Sequence, residues 1–249
     1  MNVIGRVTRR IRGFIYRQKH NYRVGAARSA ANSFLAGLTS QYGAIYTVGL
    51  GADSVQLGSL SSMGGAITAL VSTPVGWMMD RRGIKRLFLL ATVFTAGGSL
   101  LYALAPDWRL LIAAAILTSI ANSLGSTGCR VICADSVQSN ERVTAQNVCS
   151  TLASIVSLIA PLVGAYLVTV FGGISVEGIR PLYYLQSAGY GLIFLLVLVQ
   201  LRELQQGQLA DVETRFGFIA DFRHLFEERG DLWRWIAIST LSALPMALF

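Results

Sequence analysis

Charge is scarce in this chain. Only 14% of its 249 residues are Asp, Glu, Lys or Arg, while 53% are apolar; a soluble domain would carry about a quarter charged residues. The shortfall excludes a fold wetted on every side and implies that lipid solvates much of the surface. Cysteine is scarce as well. Cys129, Cys133 and Cys149 are too few for a disulfide framework. Cys129 and Cys133 stand one helical turn apart, but only Asp135 could join them on that face. They read as small buried hydrophobes rather than metal ligands. The two histidines, His20 and His224, lie outside the apolar runs, and no acid–base pair sits within one, which argues against an enzyme. No Gly-x-x-x-x-Gly-Lys-Ser/Thr loop occurs, so nothing points to ATP as a direct energy source, and no cofactor is implied. Arginines interrupt every run in the first 28 residues, which excludes a cleaved signal peptide.

Long apolar runs are what the chain does have. Six fall at about 30–50, 55–79, 87–105, 110–134, 148–171 and 183–201, each near the ~20 residues that cross ~30 Å of hydrocarbon. A seventh begins at Trp233 and stops at Phe249, short of a full span. That stop predicts a truncated sequence whose second half is missing. The expected fold is an all-α membrane protein: a six-helix bundle plus the start of a seventh span.

Residues 1–29 carry Arg6, Arg9, Arg10, Arg12, Arg17, Lys19, Arg23 and Arg28, with Val3, Val7, Ile11 and Phe14 at helical spacing among them. This pattern predicts a cytoplasmic basic amphipathic segment on an anionic membrane surface. The adjoining spans argue against a nucleic-acid arm. Residues 203–232 are polar, with Phe218, Phe222 and Leu225 at helical spacing; they predict a cytoplasmic linker containing an amphipathic helix. The chain thus divides into a basic segment (1–29), a six-helix domain (30–202), the linker (203–232) and an incomplete span (233–249).

Nineteen of the 21 basic residues fall on one side of this layout; only Arg109 and Arg180 fall on the other. The positive-inside rule then makes the N-terminus cytoplasmic in a multi-pass protein, expected in the plasma membrane. Trp77, Trp108, Trp233 and Trp235 lie at predicted span ends, as an interfacial aromatic belt requires.

Between the second and third runs stands Gly76-x-x-x-Asp80-Arg81-x-Gly83-x-Lys85-Arg86. A short cytoplasmic loop is expected to be basic, but that does not account for an acid and two glycines at these offsets. Gly83 permits a tight reversal, and Asp80 can pair with neighbouring cations or cap a facing helix. The stretch resembles the signature loop of the major facilitator superfamily. Six spans, the inside N-terminus, the long linker and the seventh run match the N-terminal half of that family's twelve-helix plan. Ile84 departs from the pattern, which often has another base there.

The resemblance implies a secondary active transporter, a permease that moves a small solute by alternating access. Asp80 and Arg81 would brace the two halves on the cytoplasmic side in one state and release them in the other. The C-terminal half would be the partner surface, and a proton or sodium gradient the coupling partner to test. Arg130, Asp135 and Arg142 lie toward the same side, as inner-gate charges or as plain positive-inside residues. In this family the first and fourth helices line the central cavity. Here those runs are polar, and polar side chains avoid lipid, so Asn32, Gln41, Tyr42, Tyr46, Ser119, Asn122 and Ser123 are the expected cavity residues. Interhelical hydrogen bonding is the competing use for them. The fifth run holds Ser157-x-x-Ala160-Pro161-x-x-Gly164-Ala165. It is similar to the glycine–proline motif of the family's antiporters, with Ala160 and Ala165 replacing two glycines. Pro161 and Gly164 tilt the reading toward efflux, although a packing kink would explain them too. A membrane sensor or assembly scaffold that keeps the fold without transporting is the alternative.

Overall fold

In a computed structural model, residues 20–82, 84–137, 140–201 and 238 are described, with 79–82, 84 and 127–136 described by backbone alone. The chain divides into two compact units, Met1–Gln205 and Gln206–Phe249. Apart from Ile238, the described residues lie in the first. Most of the basic segment, the linker and the seventh run therefore lie outside the described residues.

The first unit is helical: α1 (His20–Ser40), α2 (Gly43–Gly49), α3 (Ser54–Arg82), α4 (Ile84–Leu104), α5 (Trp108–Ser136), α6 (Arg142–Val170) and α7 (Val176–Gln200). The first expected span is thus two helices joined by a turn at Gln41 and Tyr42. α1 also begins ten residues earlier than expected. Tyr22, Val24 and Ala26, which the sequence pattern assigns to a surface segment, are buried in the bundle. The Tyr22 hydroxyl donates to the Ala145 carbonyl at 2.8 Å.

Among the described residues, four stretches are long and apolar enough to cross a bilayer by length and composition: Lys85–Leu104, Trp108–Ser126, Arg142–Val170 and Val176–Gln200. α1 and α3 fall outside that set, so composition alone does not reproduce six spans. The reason is chemical. α3 is rich in Ser, Gly and Thr, and α1 carries Arg23, Arg28, Asn32 and Ser33. α6, by contrast, exposes Leu158, Leu162, Tyr166 and Val170, as a lipid-facing helix should.

α1 packs chiefly on α6 and α7, α4 on α5 and α7, and α3 on α5. Apolar burial gives little drive between helices in lipid, so close approach through small residues matters more. A Cβ on Gly37 would stand 2.7 Å from the Ala160 Cβ, and one on Gly164 would stand 2.7 Å from the Leu38 carbonyl oxygen. α1 and α6 therefore meet backbone to backbone. Gly98 does the same for α4 and α5, where a Cβ would stand 2.6 Å from Thr118. The reversal between α6 and α7 uses Gly172 and Gly173 at φ 113° and 83°, a region costly for residues with a Cβ. Ser175 then caps α7, accepting from the Gly178 N–H at 3.1 Å.

Candidate functional site

These contacts leave an open cavity of about 470 Å³ in the face formed by α1, α2, α3, α4, α5 and α7. α6 contributes no lining residue; it stands behind α1. A volume of that size falls within the range of small-molecule sites.

One wall comes from α1 and α2 through Thr39, Ser40 and Thr47. α3 adds Ser61, α4 adds Thr95, Ser99 and Tyr102, and α5 adds Thr118, Ser119 and Asn122. α7 closes the space with Tyr183, Gln186 and Tyr190. Between these polar groups the lining is apolar, with Ala36, Ala44, Leu57, Leu60 and Ala115, and no charged side chain belongs to it among the described residues.

An aromatic group supports the end nearest the α4–α5 turn. The Tyr102 and Tyr183 rings stack with centroids 5.0 Å apart and planes 12° from parallel. Tyr46 sits behind them, fully buried, its centroid 5.0 Å from that of Tyr183. Its hydroxyl donates to the Tyr102 carbonyl at 2.7 Å. Gln186, mid-way along α7, donates from Nε2 to the Leu35 carbonyl at 3.1 Å, and Ser187 donates to the Ala96 carbonyl at 3.1 Å. α7 is thereby tied to α1 and to α4.

The expected cavity residues separate under this geometry. Ser119 and Asn122 line the space. Tyr46 lies one layer back, and Tyr42 packs against the apolar cluster around Tyr46 and Leu182. Gln41 is exposed in the turn, Asn32 is half-buried, and Ser123 is buried; none of these three is a lining residue. Tyr102, Tyr183, Gln186 and Tyr190 escaped the sequence reading, which took α4 and α7 as plain apolar spans. A polar residue inside an apolar run is the signal that would have found Gln186.

The loop motif is described only in part. Gly76 lies half-buried in α3, and Lys85 and Arg86 open α4. Cations at a helix N-terminus oppose its macrodipole, so helix stability does not account for that pair. The side chains of Asp80 and Arg81, and Gly83 entirely, lie outside the described residues, as do the side chains of Arg130 and Asp135. Arg142 is exposed at the start of α6. Pro161 and Gly164 lie in α6 against α1, behind the cavity. Pro161 lacks the N–H that would bond the Ser157 carbonyl, and that carbonyl faces Gly37. Arg28, read from sequence as tail charge, instead reaches into the bundle with its Cζ 4.1 Å above the Phe88 ring. Among the described residues no group of three His, Cys, Asp or Glu could hold a metal.

The sequence model of the Major Facilitator Superfamily matches residues 24–249. Solved structures share the fold at low identity. A peptide transporter POT in complex with sulfate is similar at 16% identity and a TM-score of 0.59, over 90% of this chain and 47% of that one. A POT family transporter in complex with 5-aminolevulinic acid is similar at 17% identity and a TM-score of 0.58, over 92% and 46%. Another, bound to a thioalcohol-conjugated peptide, is similar at 17% and 0.57, again over 92% and 46%. The chain spans about half the length of each. No curated protein sequence matches it.

Proposed function

The chain belongs to the Major Facilitator Superfamily, and from that premise we propose that it forms the N-terminal half of a secondary active transporter. It moves a small solute through the polar cavity by alternating access. The observation that carries this reading is the cavity itself: hydroxyls, amides and tyrosines from six helices converge on one space inside a membrane bundle. Lipid would penalise that lining unless a wet cavity or a solute solvated it.

In this reading α1 with α2, and α3, are the remaining two of six spans, polar because they line the cavity. The N-terminus is cytoplasmic and the membrane is the plasma membrane. The C-terminal half of the same protein covers the cavity mouth, and the loop carrying Asp80 and Arg81 braces the two halves. Pro161 and Gly164 favour export. The coupling ion is a proton or sodium.

Reconstitution of the complete protein in liposomes, with a solute panel under an imposed proton or sodium gradient, tests the proposal. Gradient-dependent accumulation of at least one solute is expected. A folded protein that moves none would leave the scaffold or sensor reading in its place.

A further inference from the structure

Part of the lining turns its hydroxyl protons away from the cavity. Thr47 donates to the Gly43 carbonyl at 2.8 Å, Thr95 to Ala91 at 2.8 Å, Ser99 to Thr95 at 2.9 Å and Thr118 to Ala114 at 3.0 Å. Each bond runs back to the hydroxyl's own helix, four residues earlier. Once its single proton is used, a hydroxyl offers only lone pairs. Gln186 commits one of its two Nε2 protons to the Leu35 carbonyl, and its amide oxygen remains an acceptor. These groups offer the cavity acceptors, while Ser61, Ser119, Asn122 and the phenols of Tyr102, Tyr183 and Tyr190 can donate as well as accept.

Charge selects further. No carboxylate and no cation lines the cavity among the described residues. The arginines packed into the bundle, Arg28 on the Phe88 ring and Arg180 donating to the Ala105 carbonyl at 2.8 Å, lie outside the lining. An anionic solute would find no basic side chain on the wall itself. An ammonium would find acceptors but no counter-ion on the wall. A neutral solute rich in O–H groups meets neither difficulty, and its C–H surface can lie against Tyr102 and Tyr183.

We infer that this half selects an uncharged, hydroxyl-rich solute, which donates to the wall's hydroxyl oxygens and rests its C–H surface on the tyrosines. The inference depends on the cavity being the transport site. Asn122, exposed to the cavity and with no hydrogen bond among the described residues, supplies the wall's adaptable contact.

Three probes share one six-carbon hydroxylated skeleton and differ only at C1: D-glucitol (CH₂OH), 1-amino-1-deoxy-D-glucitol (CH₂NH₃⁺) and D-gluconate (COO⁻). Binding and uptake by the complete protein in liposomes should favour D-glucitol by about tenfold or more, because an uncompensated charge in a membrane interior is costly. Asn122→Asp places a carboxylate on the wall and should move the preference toward the amine by about tenfold. Preference of the wild-type protein for the amine or the acid overturns the solute class and leaves transport standing. So does exclusion of all three while another solute in the panel moves. No movement of any solute overturns transport itself. An unchanged preference in Asn122→Asp removes Asn122 from the site.

Discussion

Tyr46 and Asn122 were expected in the same cavity, and their surroundings give them different work. Tyr46 is fully buried and its hydroxyl holds the Tyr102 carbonyl; Asn122 faces open space. Tyr46→Phe should therefore cost about 1 kcal/mol of stability with little change in solute affinity, measured by unfolding in mixed micelles beside equilibrium binding. Asn122→Ala should do the reverse: stability within about 0.5 kcal/mol of wild type and affinity several-fold weaker. Ser119 and Asn122 were legible because they interrupt an apolar helix. Gln41 was not, because the turn at Gln41 and Tyr42 breaks the first span and leaves Gln41 exposed. No proline or charge marks that turn in the sequence. Arg28 was misread because a positive charge near a span end counts as loop charge until the ring beneath it is known.

At the scale of elements, the contact of α1 with α6 is a close backbone approach behind the cavity. Gly164→Leu would drive a side chain into the Leu38 carbonyl, and overpacking of this kind costs about 1–3 kcal/mol. A lowered thermal melt in detergent is the expected result. Gly65→Ala is the control: a Cβ there meets nothing within 4 Å, and its melt should match wild type. The small-residue run around Pro161 was legible as a packing surface, but its partner was not. Periodicity locates an apolar helix, whereas the choice of neighbour depends on backbone approach across 123 or more residues (Gly37 to Ala160, for example). Helix ends were the least legible. α6 and α7 begin six and seven residues before the apolar runs do, because helices continue through polar turns once hydropathy has ended.

For the whole molecule, the family and the all-helical plan were legible in the loop motif and in the spacing of the apolar runs. The number of spans was less so, since α1 and α3 are too polar for composition to mark, whereas α4, α5 and α7 line the same cavity and are still marked. The proposed orientation rests on 19 of 21 basic residues lying on one predicted side; an epitope at the N-terminus of the protein in sealed cells should be reached only after permeabilisation. The proposed brace at Asp80 is tested by Asp80→Asn. Membrane insertion and melt should be unchanged while transport slows by about tenfold, the scale of one lost charge-assisted hydrogen bond.

The central claim is that the cavity opens to each side of the membrane in turn. Asn122→Cys, with Cys129, Cys133 and Cys149 replaced, tests it in the complete protein. A membrane-impermeant thiol reagent should modify this cysteine from the cytoplasmic side and, in a separate preparation, from the opposite side, with transported solute slowing both reactions. Modification from one side only, with no protection by solute, would contradict alternating access at this site.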